Sequence, residues 1–139
     1  MHRLLLMKMD YIEFLKTKIE LAVDSGFEVD KTKINKALKP HQADAVAWAL
    51  RGGRRALFES FGLGKTVQEL EFCHLAAEHE NGRALIVLPL GVKQEFTQDA
   101  VNVLGYESPR YVRTMEEVKE AKEQILLTNY ERVRDGNID

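Results

Sequence analysis

From about Asp10 to Val23 the apolar residues Tyr11, Ile12, Leu15, Ile19, Ala22 and Val23 recur at three- and four-residue spacing, which predicts an amphipathic helix with Gly26 near its C-terminal stop. A polar stretch from Glu28 to Lys36 follows. Pro40 suits the first turn of a second helix, which runs through Ala43, Val46, Ala47, Trp48 and Leu50 until Gly52-Gly53 breaks it; Trp48 falls on its apolar face and is expected in the core. Beyond that break the pattern turns regular. Ala56-Leu57-Phe58 reads as a short strand, Lys65 to Glu80 as a helix, and Arg83 to Leu88 as an unalternated apolar strand buried on both faces. Val92 to Val103 reads as a helix, Tyr111-Val112 as a short strand, Met115 to Lys122 as a helix and Gln124 to Thr128 as another buried strand. Strands alternating with helices at this spacing predict βαβ units, and so an α/β fold with a parallel sheet and right-handed crossovers. Ligands of such sheets bind at the carboxyl ends of the strands.

Composition narrows the class. A chain of 139 residues with 45% hydrophobic and 30% charged residues can bury a real core, and it has no long apolar run or low-complexity tract. The start, Met1 to Lys8, carries too short an apolar patch for a signal core, and no run is long enough to cross a membrane. One cysteine, Cys73, cannot form an internal disulfide, so a reducing, cytoplasmic setting is expected. His74 and His79 stand five apart, a poor spacing for a shared metal on one helical face. The net charge of −2 leaves any nucleic-acid contact to local basic clusters, at Arg51/Arg54/Arg55, Arg110/Arg113 and Arg132/Arg134.

The chemistry concentrates in Glu59-Ser60-Phe61-Gly62-Leu63-Gly64-Lys65-Thr66, between the predicted strand and the predicted helix. Gly62 and Gly64 can adopt backbone angles closed to other residues and let main-chain N–H groups approach an anion at a helix N-terminus. Lys65 adds a point charge for the β- and γ-phosphates, and the Thr66 hydroxyl is placed to reach Mg²⁺. The general G-x-x-x-x-G-K-T pattern fails at its first letter, where Glu59 stands. The plainer reading is a glycine turn ahead of an ordinary helix; the strand–loop–helix context favours a phosphate loop.

With its flanks the loop resembles the first RecA-like domain of superfamily 2, DEAD/DEAH-type helicases, and in particular Swi/Snf-type DNA translocases and related phage helicases. Their D-E-x-G-L-G-K-T loop is similar to residues 59–66, with Ser60 and Phe61 departing from the common form. Leu38-Lys39-Pro40-His41-Gln42 is similar to the family's adenine-recognition element, which implies that Gln42 reads the adenine edge, and Trp48 occupies the place of its usual tryptophan. Leu85 to Leu90 followed by Gln94-Glu95-Phe96, and Ile125 to Glu131, resemble two further family motifs. They imply nucleic-acid contacts at Pro89, Leu90 and Gly91 and at Thr128, Asn129 and Tyr130. Residue by residue, plainer roles exist: Gln42 as a helix-surface glutamine, Pro89 as a strand stop, Thr128-Asn129 as a turn. Four motifs in family order cover roughly residues 38–131, while residues 1–37 match none and are expected to form a helical extension ahead of a partial RecA-like domain at 38–139.

The resemblance implies ATP and Mg²⁺ as ligands, DNA as partner and Lys65 as the catalytic lysine of the whole enzyme. It also implies an acidic D-E-x-H strand end and a second domain with catalytic arginines, and this sequence has neither. Asp99, Asp135 and Asp139 are the nearest acids, yet none follows an apolar strand. The chain is therefore expected to be the N-terminal part of an ATP-dependent helicase or translocase, binding nucleotide without turning it over. In related folds the strand with the acidic motif lies in mid-sheet, so open strand edges and self-association are expected here. The alternatives are a non-enzymatic nucleotide- or nucleic-acid-binding module and a different P-loop kinase or GTPase, in which Gln42 would have no role.

Overall fold

The computed structural model describes residues 11–13, 24–57 and 64–139. Of the N-terminal helix read from the sequence, Tyr11 to Glu13 are helical, and Asp10 and residues 14–23 lie outside the described part. Among the described residues five α-helices and three strands follow: α1 (Pro40–Gly52), α2 (Lys65–His79), β1 (Ala84–Leu88), α3 (Lys93–Gln98), β2 (Arg110–Tyr111), α4 (Met115–Glu120), β3 (Ile125–Asn129) and α5 (Tyr130–Arg134). Short 3₁₀ turns occupy Lys31–Lys33 and Leu90–Val92. The architecture is mixed α/β, a small parallel sheet with flanking helices. Ala56 and Leu57, expected in a strand, carry no regular structure, and Phe58 lies outside the described residues.

The strands are ordered β1-β3-β2 and all run parallel, with Ala84 opposite Ile125 and Leu88 opposite Asn129 on one side and Arg110 opposite Leu126 on the other. Chain order and spatial order differ because β2 lands beyond the place that β3 fills last. The connection from β1 to β2 sends Phe96, Ala100 and Leu104 into the main core, while that from β2 to β3 places Met115, Val118 and Ala121 against a second cluster with Val112, Leu126 and Ile138. Side chains of β3 consequently divide between the two, Ile125 and Leu127 to the main core and Leu126 to the second, and every β3 residue is buried. β1 does not meet the expectation of burial on both faces. Ile86 and Leu88 are buried, but Leu85, in register with Leu126 on the other face, is 41% exposed. An apolar run reads alike in a central and a terminal strand; here β1 stands at the end of the order, beyond the cover of α4.

Helix α2 lies at the centre of the packing. Its Val67, Leu70 and Leu75 meet Val46 and Leu50 of α1 and Ile86 of β1 in one cluster, and each such side chain removed from water contributes about 1.5–3 kcal/mol. Residues 24–37 enter the same core through Phe27, Val29 and Ile34, with Leu38 beside them. The backbone of Ser25, Gly26 and Phe27 donates to the carbonyls of Gly52, Arg51 and Leu50, satisfying acceptors that the end of α1 leaves open. Gly26 is required there by proximity, since a Cβ would overlap the Leu50 carbonyl oxygen.

The helix expected from Val92 to Val103 changes character midway. After α3 the chain takes a π turn at Asp99–Val103, in which Leu104 N–H donates to Asp99 and Tyr106 N–H to Ala100. A one-turn π insertion changes the direction of the chain beyond it. In this chain it delivers Tyr106 to α2.

Candidate functional site

Gly64 sits in the left-handed region, φ 74° and ψ 42°, as the N-cap of α2. Glycine bears that conformation without the penalty of other residues, and because it has no side chain it leaves the first amides of α2 uncapped. Lys65, exposed, and Thr66, half-buried, form the first turn. Glu59, Ser60, Phe61, Gly62 and Leu63, the rest of the expected phosphate loop, lie outside the described residues.

Gln42 meets Gly64. Its Oε1 accepts from the Lys39 N–H at 2.9 Å, closing the start of α1, and a Cβ on Gly64 would fall on its Nε2. Gln42 and Gly64 thus form one packed junction, with Gln42 buried. It is no helix-surface glutamine. Beside this junction Lys65 lines a hollow of about 360 Å³ together with Ala49, Arg55, Leu57, Glu69, Phe72 and Cys73. Burial pushes the Cys73 thiol up to about 12, and the neighbouring Glu69 charge adds to the shift, so the sulfur stays protonated.

Trp48 differs from its expected core position. It is 40% exposed, and Arg55 lies over its ring at 4.1 Å from the centroid, donates to the Trp48 carbonyl at 3.0 Å and pairs with Asp24. The helix flank that periodicity marks as apolar is covered by a guanidinium instead of a hydrophobic neighbour. The Arg51/Arg54/Arg55 cluster is correspondingly divided, because Arg55 is committed inside the fold.

At the carboxyl ends of the strands the two remaining motifs come together. Pro89, Leu90 and Gly91 are exposed after β1, and Tyr130 is 59% exposed after β3. Thr128 and Asn129 are buried. The Thr128 hydroxyl donates to the Val112 carbonyl at 2.8 Å, and Asn129 accepts from the Tyr111 hydroxyl at 3.1 Å while donating to Glu131 at 2.8 Å. These two residues brace the strand end, whereas Pro89, Leu90, Gly91 and Tyr130 are exposed there. Leu90, Tyr111 and Asn129 share a crevice of about 380 Å³ with Glu131, Arg132, Arg134 and Asp135.

The acids weighed for a metal role are dispersed: Asp99 opens the π turn, Asp135 pairs with Arg134 at 3.0 Å, and Asp139 ends the chain. Among the described residues no group of three or more His, Cys, Asp or Glu side chains could hold a metal ion.

Sequence reading missed a polar cluster on α2. Glu71, fully buried, accepts from the Tyr106 hydroxyl at 2.7 Å and the Asn35 N–H at 3.4 Å. The Tyr106 ring stacks on His74 at 4.1 Å, and His74 Nδ1 lies 2.7 Å from Gln124 Oε1. His79 instead stacks on Phe27 at 3.7 Å. No signal in the sequence distinguishes Glu71 from the exposed glutamates around it.

Among the described residues no helix is long and apolar enough to cross a membrane. No family model matches the chain, and no curated protein matches it.

Proposed function

We propose that the chain is the ATP-binding, N-terminal part of an ATP-dependent DNA helicase or translocase, built on a RecA-like sheet. One observation carries the reading: Gln42, from the element similar to an adenine reader, packs on Gly64, from the segment similar to a phosphate loop. A glycine turn ahead of an ordinary helix gives no reason for these two to meet. Nucleotide recognition does, because base and phosphates belong to one ligand.

The residues present fit a triphosphate. The α2 amides carry no side-chain cap, Gly64 lets backbone approach, Lys65 is an exposed cation, and the Thr66 hydroxyl stands in the same turn for Mg²⁺. Gln42 would orient the base and Lys65 and the α2 amides would hold the phosphates, while cleavage of the bound anhydride would need the acidic strand end and second domain of the whole enzyme. Pro89, Leu90, Gly91 and Tyr130 would face the DNA.

Titration of a fluorescent ATP analogue with Mg²⁺ tests this. Lys65→Ala should weaken binding at least about tenfold, the worth of one charge-assisted contact. Equal affinities of parent and variant would remove the assignment. Gln42→Ala should reduce the preference for adenine over guanine nucleotides; an unchanged preference would favour a different P-loop NTPase.

A further inference from the structure

We infer that Asn81, in the turn between α2 and β1, is a site of spontaneous deamidation that the C-terminal end of α2 holds in check. The site lies at the far end of α2 from Gly64 and is independent of the proposed function. Asn81-Gly82 is the single Asn-Gly pair of the chain, and among the described residues Asn81 is the one non-glycine residue with a left-handed backbone, φ 50°. Asparagine tolerates that region better than most residues do. Both residues of the pair are exposed, so water reaches them.

In deamidation the backbone nitrogen of Gly82 attacks Asn81 Cγ. A C–N bond forms between them, the bond from Cγ to the side-chain nitrogen breaks, and ammonia leaves with the proton of the Gly82 amide. The cyclic imide then takes up water. Opening at one carbonyl yields aspartate, and opening at the other yields isoaspartate, in which the main chain runs through the side-chain carbon. Glycine in the second position favours ring closure because it sets no β-carbon beside the attacking nitrogen.

The fold withholds that nitrogen. Glu80 caps α2, the Asn81 N–H donates to the Glu78 carbonyl at 3.2 Å, and the Gly82 N–H donates to the Ala77 carbonyl at 2.9 Å. These are the paired bonds of a Schellman motif, with Asn81 at the position where glycine is usual. The Gly82 nitrogen is therefore engaged until the last turn of α2 opens, and helix ends open at a small fraction of the free energy of global unfolding. The product opposes the structure that delayed it. An aspartate places a negative charge beside Glu78 and Glu80 at the negative end of the helix, and an isoaspartate lengthens the backbone loop that the bond to Ala77 closes. His79, whose ring stacks on Phe27 at 3.7 Å, belongs to the same turn, so the modification loosens the hold of α2 on residues 24–37.

Peptide mapping by mass spectrometry, on the full chain incubated folded and in urea at mildly alkaline pH, is the test. The peptide containing Asn81 should gain the mass of an amide turned to an acid, about tenfold more slowly in the folded chain, as two helix-end hydrogen bonds dictate. Gly82→Ala, whose Cβ would stand at an ordinary 3.9 Å from the Glu80 carbonyl oxygen, should keep the melting temperature and all but stop the reaction. Asn81→Asp, the product of one opening, should melt about 1–4 °C below the parent, and by less at high salt. Isomerisation at Asp135-Gly136 leaves the mass unchanged and does not enter the measurement. A folded chain whose Asn81 peptide keeps its mass while the urea sample converts, a folded chain that reacts as fast as the one in urea, or a Gly82→Ala chain that reacts like the parent overturns the inference.

Discussion

At the scale of the residue, Glu71 is the side chain on which position and chemistry conflict most. Burial raises its carboxyl above the ordinary 4.5, and the Tyr106 hydroxyl, the Asn35 amide and His74 draw it part of the way back while Glu78 opposes them. A carboxyl raised in the folded state holds its proton over a range of pH in which the unfolded chain has already lost it. Stability from this group therefore grows as the pH falls from neutral through the raised value towards 4.5, and it is lost again as the pH rises. Glu71→Gln keeps an acceptor for Tyr106 and removes the ionisation. Thermal melting of parent and variant from neutral pH down to 4.5 should show the parent gaining on the variant with acidification; parallel curves would mean that Glu71 ionises like an exposed glutamate. Glu71→Ala, which strands the Tyr106 hydroxyl and the Asn35 amide, should cost about 1–3 kcal/mol at every pH.

Elements were legible where local pattern and tertiary demand agree. Pro40 at the first turn and Gly53 at φ 78° bound α1 as the letters suggest, and Thr114 caps α4 by accepting from the Glu117 N–H at 3.3 Å. Where a distant segment intervenes, the letters are silent. Gly26 reads as the stop of a preceding helix, yet its work is to bring a backbone edge against the last carbonyls of α1. Gly26→Ala would push that edge away and release the bonds to Leu50, Arg51 and Gly52. At about 1 kcal/mol for each bond, the variant should lose roughly 2–4 kcal/mol in denaturant unfolding. A loss below about 0.5 kcal/mol, the usual range for a surface change, would show that the contact is dispensable. The π turn was hidden for a similar reason. Val92 to Val103 keeps an unbroken helical pattern, and the extra residue in the turn accompanies a long-range bond, Tyr106 to Glu71, that the local pattern does not announce.

Over the whole molecule, the mixed α/β class and the parallel sheet could be read from the alternation of strands and helices. The order β1-β3-β2 could not, because the apolar runs Leu85–Leu88 and Ile125–Leu127 are interchangeable as patterns and only packing decides which is central. That order has a consequence for assembly. Among the described residues β1 pairs on one side only, with β3, and its Leu85 is exposed on the face that α4 leaves uncovered. A strand with an apolar exposed face and an available edge invites addition of another strand, and a second copy meeting β1 across a two-fold axis would extend the sheet through both molecules. The weight-average mass in sedimentation should therefore rise with concentration through the micromolar range. Leu85→Lys, which puts a charge on that face without touching Ile86 or Leu88 in the core, should return the chain to monomer with its melting temperature nearly unchanged. A parent that sediments as a monomer throughout that range would show the edge to be covered by the chain itself, and the same variant would then alter nothing but solubility.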